Sequence, residues 1–405
     1  MSASSKAHRL ATELVELAAE IMEAPRLIPI SFAHIDACFY TGQSHLDFVK
    51  FLLANGATLA VPTWTNNSVA SVDDSTFRPP HIDPQMVSGG HELMTLYASL
   101  GCKPTWTCAP YQLPGGPKFG DHIAVGESNA VAYYNSALGC RTNKYGSYLD
   151  VACAITGLAP FAGLHTDEGR KAEIHFACDD LPEHWKREDT FFHLLGHIVG
   201  KISGRRIPVI SGIQAASPDN LKALCTASAA SGGVELLHLV GITPEAPSLD
   251  AVSIAREKIA IPPQDLTLAQ QELSTAGDGS LDCVALGTPH FSISEFATFI
   301  KLLDGRRVRT PTLISTSRAI REILIAKGWL KILEDAGVQI PVDICTYYAP
   351  KIQALKGHVM TNAAKWAYYA PGMLKVQVSF GSLKECVESA VSGQIWRDPS
   401  LWLNQ

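Results

Sequence analysis

Charge is scarce in this chain. Of 405 residues only 18% are charged against 46% hydrophobic, and a net charge of −6 with a pI near 6.2 leaves no basic excess. Without a basic face interleaved with aromatics, nucleic acid is not an expected partner. No run of 18 or more consecutive apolar residues occurs, so no membrane-spanning helix is expected. The start of the chain has acidic residues and lacks the apolar stretch of a secretory signal. Instead Leu10, Leu14, Leu17, Ala18 and Ile21 recur at helical spacing, which predicts an amphipathic helix within residues 1–23. The ten cysteines form no CxxC pair and are too sparse for a secreted disulfide scaffold, so a reducing cytoplasm is the expected setting. Cys153, Cys178, Cys225 and Cys283 lie in apolar or small-residue segments and are expected to pack. Also missing are GxGxxG after a strand, the P-loop GxxxxGK, GxSxG and HExxH. No dinucleotide, P-loop, serine-hydrolase or zinc-protease site is therefore signalled.

What is present is an alternation. Short apolar, β-branched runs at 27–32, 58–62, 207–210, 234–240, 283–286, 312–315 and 340–344 read as strands. Helical stretches fill the gaps, for example 44–55 (ended by Gly56), 220–231, 292–303 and 317–327. Continuous apolar strands alternating with helices predict an α/β protein whose mainly parallel sheets are covered by helices. A chain this long exceeds one hydrophobic core. The expected division is a first α/β region over 1–200 carrying most of the polar loops, a second domain over 201–305 and a third over 306–405. The polar, proline-containing stretch 244–279 reads as an excursion or hinge.

The chemically unusual segments follow predicted strands, where ligands bind in open α/β sheets. After the first strand, His34, Asp36, Cys38 and Tyr40 fall within seven positions; the plainer reading is a capping Asp36 and a packed Cys38. Cys108 sits on a loop stiffened by Pro110, as a thiolate ligand would, although a single cysteine is also a common inert packing residue. Residues 126–146 gather Ser128, Asn129, Asn135, Arg141, Thr142 and Asn143, and an arginine with Asn and Thr neighbours is equipped to clamp a carboxylate. Further on, His290 follows Gly287-Thr288-Pro289, and Cys345 ends another strand. Thr361 and Asn362 open a helix with Lys365 one turn in, the arrangement of an anion site or of a solvated amphipathic helix. His165, Asp167 and Glu168 form one more polar loop, able to orient other groups or simply to cap a helix.

Taken in order, FAHIDACFY, TCAPY, GESNAVAYYNSALGCRTNKYG, GLHTDE, GTPHFS, DIC and TNAAKWAYY resemble the successive motifs of aconitase X, from about His34 to near residue 393. No one of these motifs is specific alone; seven in sequence are. The resemblance implies an aconitase-like fold of several α/β domains. It implies a hydro-lyase with an iron–sulfur cluster, 2Fe–2S first, with 3Fe–4S and 4Fe–4S as alternatives. It also implies a separate small swivelling subunit as partner. Family members dehydrate cis-3-hydroxy-L-proline or mevalonate 5-phosphate. Thr288, where archaeal members tend to carry cysteine, and Cys38 in HIDAC favour the proline substrate. On this reading Cys38, Cys108 and Cys345 are the cluster ligands, and Lys365, His34 and His290 are the candidates for proton transfer. Ser128, Asn129, Asn135, Arg141, Thr142, Asn143, Thr361 and Asn362 bind substrate. Competing readings are a mononuclear-metal isomerase or hydrolase built on His34, Asp36 and His290, and a non-catalytic scaffold subunit.

Overall fold

In the computed structural model the described residues are 5–71, 84–277, 279–347, 352 and 355–401. Three parallel sheets follow one another along the chain. The first holds β2 (Phe32–Ile35) between β3 (Thr63–Thr65) and β4 (Ile123–Val125), while β1 (Leu27–Pro29) pairs antiparallel with β5 (Leu158–Pro160). The second has the order β8-β7-β6-β9, with β6 Ile174–Ala177, β7 Pro208–Ser211, β8 His238–Leu239 and β9 Lys258–Ala260. The third has the order β12-β11-β10-β13-β14, with β10 Cys283–Leu286, β11 Thr312–Ile314, β12 Val338–Gln339, β13 His358–Thr361 and β14 Gln377–Phe380. β2, β6, β10, β11 and β13 are buried at every position, as parallel strands covered on both faces must be. The mixed α/β architecture expected from the sequence is the one observed.

Local chemistry sets the element ends. The first helix, Lys6–Ile21, starts at Ser5, whose side chain accepts from His8 N, and buries Ala7, Ala11 and Val15 at a four-residue repeat. Ser217, Ser292 and Ser382 each close a capping box at the start of the helices Pro218–Gly232, Ile293–Leu303 and Leu383–Ser392. Two strands lie elsewhere than expected. The run 58–62 is loop, because Pro62 has no N–H for a ladder, and β3 begins just after it. In 340–344 the strand stops at Gln339. Pro341 and the left-handed Asp343 (φ 69°) break the ladder, leaving single bridges from Thr316 to Val342 and from Ser68 to Ile344. The stretch 244–279 is no hinge: it supplies β9 to the second sheet and the helix Pro263–Glu272.

The carboxyl ends of β2, β3 and β4 lead into Asp36, Asn66 and Gly126. Those of β10 and β13 lead into Gly287 and Asn362. At Gly287 (φ 84°) a Cβ would lie 2.1 Å from Ser315 O, so only glycine lets this loop turn so close to β11.

Candidate metal centre and adjoining cavity

Two loops bring sulfur to one point. Cys108 is fully buried; its carbonyl accepts from Asn129 Nδ2, and the preceding Thr107 carbonyl accepts from His34 Nε2 at 3.0 Å. Cys345 is held from both sides: the Ile344 carbonyl accepts from His290 Nε2 at 3.0 Å, and Thr346 Oγ1 accepts from Trp366 Nε1 at 2.9 Å. The two Sγ atoms lie 3.4 Å apart with Cys345 as donor, and the His290 backbone N–H also points at Cys108 Sγ, 3.4 Å away. Burial pushes Cys108 up, but the Cys345 hydrogen bond, His290 and Lys365 outweigh it and favour the thiolate. Cys345, donating to that sulfur and buried, is pushed well up. Cys108, Cys345 and the ring of His290 each offer a ligand atom, all within 4.8 Å of one another. Two soft sulfurs and one imidazole, buried together, suit a thiophilic metal or an iron–sulfur group. The His290 ring is spoken for at both nitrogens: Nε2–H donates to Ile344, so Nδ1 accepts from Thr107 Oγ1 at 2.9 Å. To ligate through Nδ1 it would have to give up the Thr107 bond.

Beside the sulfurs is a buried ion pair. Lys365 Nζ sits 2.6 Å from Glu127 Oε1 with both side chains under a tenth exposed. Glu127 Oε2 also caps the helix Ser128–Ser136, accepting from Ala130 N at 2.6 Å and from Asn129 Nδ2 at 2.9 Å. Burial works against the Glu127 charge, yet Lys365 and these donors hold its carboxyl below the usual range. Burial likewise opposes the Lys365 charge, and Glu127 with the two cysteines more than restores it, so its ammonium is strongly retained. The pair opens on a cavity of about 470 Å³, whose lining includes Asp36, Asn66, Glu127, Ser128, Lys144, Tyr347 and Lys365. Asp36 Oδ1 accepts from Asn66 Nδ2 at 2.6 Å, and burial pushes its carboxyl up. Gly126 makes this packing possible, since a Cβ there would meet Asp36 Cβ at 2.7 Å and Asp150 Oδ2 at 2.8 Å. A cavity walled by two carboxylates, two lysines and an amide beside a metal-competent sulfur pair is equipped to hold a small polar acid.

Comparison with known proteins places the chain. Profiles of the aconitase X first, second and third domains match residues 1–168, 172–272 and 281–392. The cis-3-hydroxy-L-proline dehydratase of Pseudomonas aeruginosa is 39% identical over 99% of this chain and 70% of its own length. The chain belongs to the aconitase X family. The phosphomevalonate dehydratase large subunit of Methanocaldococcus jannaschii is 32% identical over 91% of this chain and 92% of its own. The crystal structure of aconitase X from Thermococcus kodakaraensis in its holo form superposes with a TM-score of 0.85 at 30% identity, covering 95% of each chain.

Within this aconitase X fold, the residues singled out from the sequence divide sharply. Cys108, Cys345 and His290 converge. Cys38, expected as the third ligand, is not in that group: it is buried and donates to the Ile35 and Asn66 carbonyls at 3.3 and 3.5 Å. His34 is buried and neutral, lowered to about 4 by burial. Its Nε2–H is spent on Thr107, and its Nδ1 has no partner. Of the expected substrate binders, only Ser128 lines the cavity with Lys365. Asn129 is saturated by Tyr111, Thr226, Glu127 and the Cys108 carbonyl. Asn135 binds Thr142, Glu235 and Arg170, and Asn143 binds Ala162 and Leu164. Thr142 bonds to the Val125 N–H and the Asn143 carbonyl. Arg141 reaches Asp167 and the His165 carbonyl rather than the cavity. Thr361 accepts from Ala363 N, while Asn362 faces a different cavity. Asn66, Lys144 and Tyr347 were not singled out. Asn66 directly follows the observed β3, but the sequence places that strand at 58–62, so the Asn66-Asn67 pair does not stand at an expected strand end.

No helix of the described residues is long and apolar enough to cross a membrane.

Proposed function

We propose that this aconitase X chain is the catalytic part of a hydro-lyase that dehydrates cis-3-hydroxy-L-proline to pyrroline-2-carboxylate. The substrate comes from the similarity to the bacterial dehydratase, which exceeds that to the archaeal phosphomevalonate enzyme. The observation that carries the chemistry is the Cys108–Cys345 sulfur pair set beside the Lys365–Glu127 cavity. Cys108 and Cys345, with His290 as the third donor within reach, would hold an iron–sulfur cluster, which we take to be 2Fe–2S. When bound, its iron supplies Lewis acidity for the departing hydroxyl.

The chain's own residues do the positioning. Lys365, kept as ammonium by Glu127, is a poor base but a good anchor for the substrate carboxylate. Lys144 adds a second positive charge to the wall, and Asp36 faces the same space as a carboxyl that burial biases towards its protonated form. Glu127 fixes both Lys365 and, through Asn129, the Cys108 loop, so substrate anchor and sulfur pair share one support. His34 and His290 spend their Nε2 protons on backbone carbonyls and do not line the cavity. We therefore place the proton acceptor on a small partner subunit, in keeping with the similarity to a large subunit.

The test is anaerobic reconstitution with iron and sulfide, with and without the small partner, offering cis-3-hydroxy-L-proline and mevalonate 5-phosphate in parallel. Pyrroline-2-carboxylate from the assembled enzyme alone is the expected product. A fully clustered, assembled enzyme that forms none rejects the substrate, and consumption of the phosphate instead assigns the archaeal reaction.

A further inference from the structure

A second cavity, of about 510 Å³, shares no lining residue with the first. It lies between the helices Asp189–Ser203 and Pro218–Gly232 on one side and Ile293–Leu303 and Leu383–Ser392 on the other. Most of its charges are already matched. Asp219 and Glu295 share the buried Lys222, and Asp398 pairs with Lys384 at 2.7 Å. Two carboxylates of the lining, Glu188 and Asp189, have no ion-pair partner among the described residues; Asp189 accepts from Thr190 Oγ1 and from backbone N–H groups, whereas the Glu188 side chain makes no capping bond and faces the cavity.

Two buried polar groups also face this space without a partner. His193 is 8% exposed; its Nδ1 accepts from Ala364 N at 3.4 Å, which leaves the proton of the neutral ring on Nε2, and Nε2 makes no hydrogen bond. Asn362 is 5% exposed, and its side-chain amide makes no hydrogen bond either. Neither group is sealed from solvent, so both open on the cavity, where an oxygen of a ligand or of water can accept from them. The rest of the wall is partly apolar, with Ala223 and Leu302 facing in.

We propose that this cavity is a second binding site, for a small organic amine bearing a hydrogen-bond acceptor. The ammonium pairs with Glu188, the apolar body lies against Ala223 and Leu302, and a carbonyl or hydroxyl oxygen accepts from His193 Nε2 or the Asn362 amide. The site does not depend on which hydroxy acid the first cavity takes.

L-Valinamide, which carries an ammonium, an isopropyl group and a carbonyl, is the probe. Its binding to the full chain is measured by calorimetry, alongside N-acetyl-L-valinamide, which keeps the isopropyl group and the primary amide and loses the charge. Saturable binding of valinamide is expected, with the acetylated form at least about tenfold weaker because it cannot form the charge-assisted bond. Glu188→Gln should weaken valinamide about tenfold, and Ala223→Leu, which fills the space, should abolish binding. Should Ala223→Leu not fold, Glu188→Gln and the acetylated probe still decide the matter. No saturable binding, equal binding of the two probes, or binding indifferent to Glu188→Gln overturns the proposal.

Discussion

Cys108 and Cys345 stand 237 positions apart in sequence, yet their sulfurs lie 3.4 Å apart in the folded chain. Loops from the first and third sheets meet there, so the pair exists only when the two sheets are packed together. Both thiols are fully buried and next to a retained ammonium, which stabilises negative charge on sulfur. Replacing either cysteine by serine should therefore abolish iron and sulfide binding and the associated visible absorption, while far-UV circular dichroism stays native. Cys38→Ser, whose sulfur binds only backbone carbonyls, should keep most of the iron; an iron-free Cys38→Ser protein would put that residue among the ligands after all.

The Lys365–Glu127 pair makes a stability claim of its own. Removing one partner of a buried pair leaves the other charge uncompensated, which costs about 3–5 kcal/mol. Lys365→Met should lower urea-unfolding stability by roughly that amount and reduce kcat by about 100-fold or more through lost substrate anchoring. The double change Lys365→Met with Glu127→Gln should recover much of the stability but none of the activity. Recovery of both would mean that the pair is structural only.

The same pair shows what a sequence does and does not disclose. Strand–helix alternation discloses the layout, and the loops bearing His290, Cys345 and Lys365 stand out because each follows a buried apolar run, while Cys108 stands out by its place between Thr107 and Pro110. Adjacency in sequence misled where hydrogen bonds are already committed. Asn129, Asn135, Arg141, Thr142 and Asn143 look like a substrate clamp as letters, but each has its polar atoms engaged by loop backbone or neighbouring side chains. A list of donors does not say which partners the fold has supplied. Glu127 is hidden for the converse reason: a carboxylate before a helix reads as a cap, which it is, and nothing local shows the lysine 238 positions away.

A clamp behind Cys345 yields a further prediction. Asp343 is fully buried in a left-handed conformation; Arg318 grips both its carboxylate oxygens at 2.6 Å, and Ser71 Oγ donates at 3.0 Å. Its carbonyl accepts from Ser68 N at 2.7 Å, which ties the Cys345 loop to the first sheet. Arg318 is itself 39% exposed, so its loss should cost less than a wholly buried pair, about 2 kcal/mol. Because the clamp positions Cys345, Arg318→Ala should lower iron content per chain more than its stability loss alone explains. Arg318→Lys, which keeps the charge but not the two-point grip, should fall between. Full iron loading in Arg318→Ala would remove the positioning role.

Two buried groups should tilt the pH–stability profile in opposite directions. His165 is held down to about 3 by burial and by the cations around it; its ring nitrogens face His122 and Tyr145. An unfolded histidine takes its proton near 6.5, so between pH 6.5 and 3 unfolding binds a proton, and stability falls as pH drops. By pH 5 that amounts to about 2 kcal/mol. Asp150 runs the other way. Burial pushes it up to about 7, against the backbone N–H bonds from Asp36, Val151 and Ala37, whereas an unfolded aspartate titrates near 3.8. The folded state holds that proton, so its contribution is complete below pH 3.8 and is lost as pH rises through 7. Urea-unfolding free energies measured between pH 4.5 and 6.5 separate the two. His165→Gln should flatten the rise of stability with pH by about 1.4 kcal/mol per unit, and Asp150→Asn should steepen it by a similar amount. If Asp150→Asn leaves the slope unchanged, the three backbone donors have won and the carboxylate is ionised throughout that range.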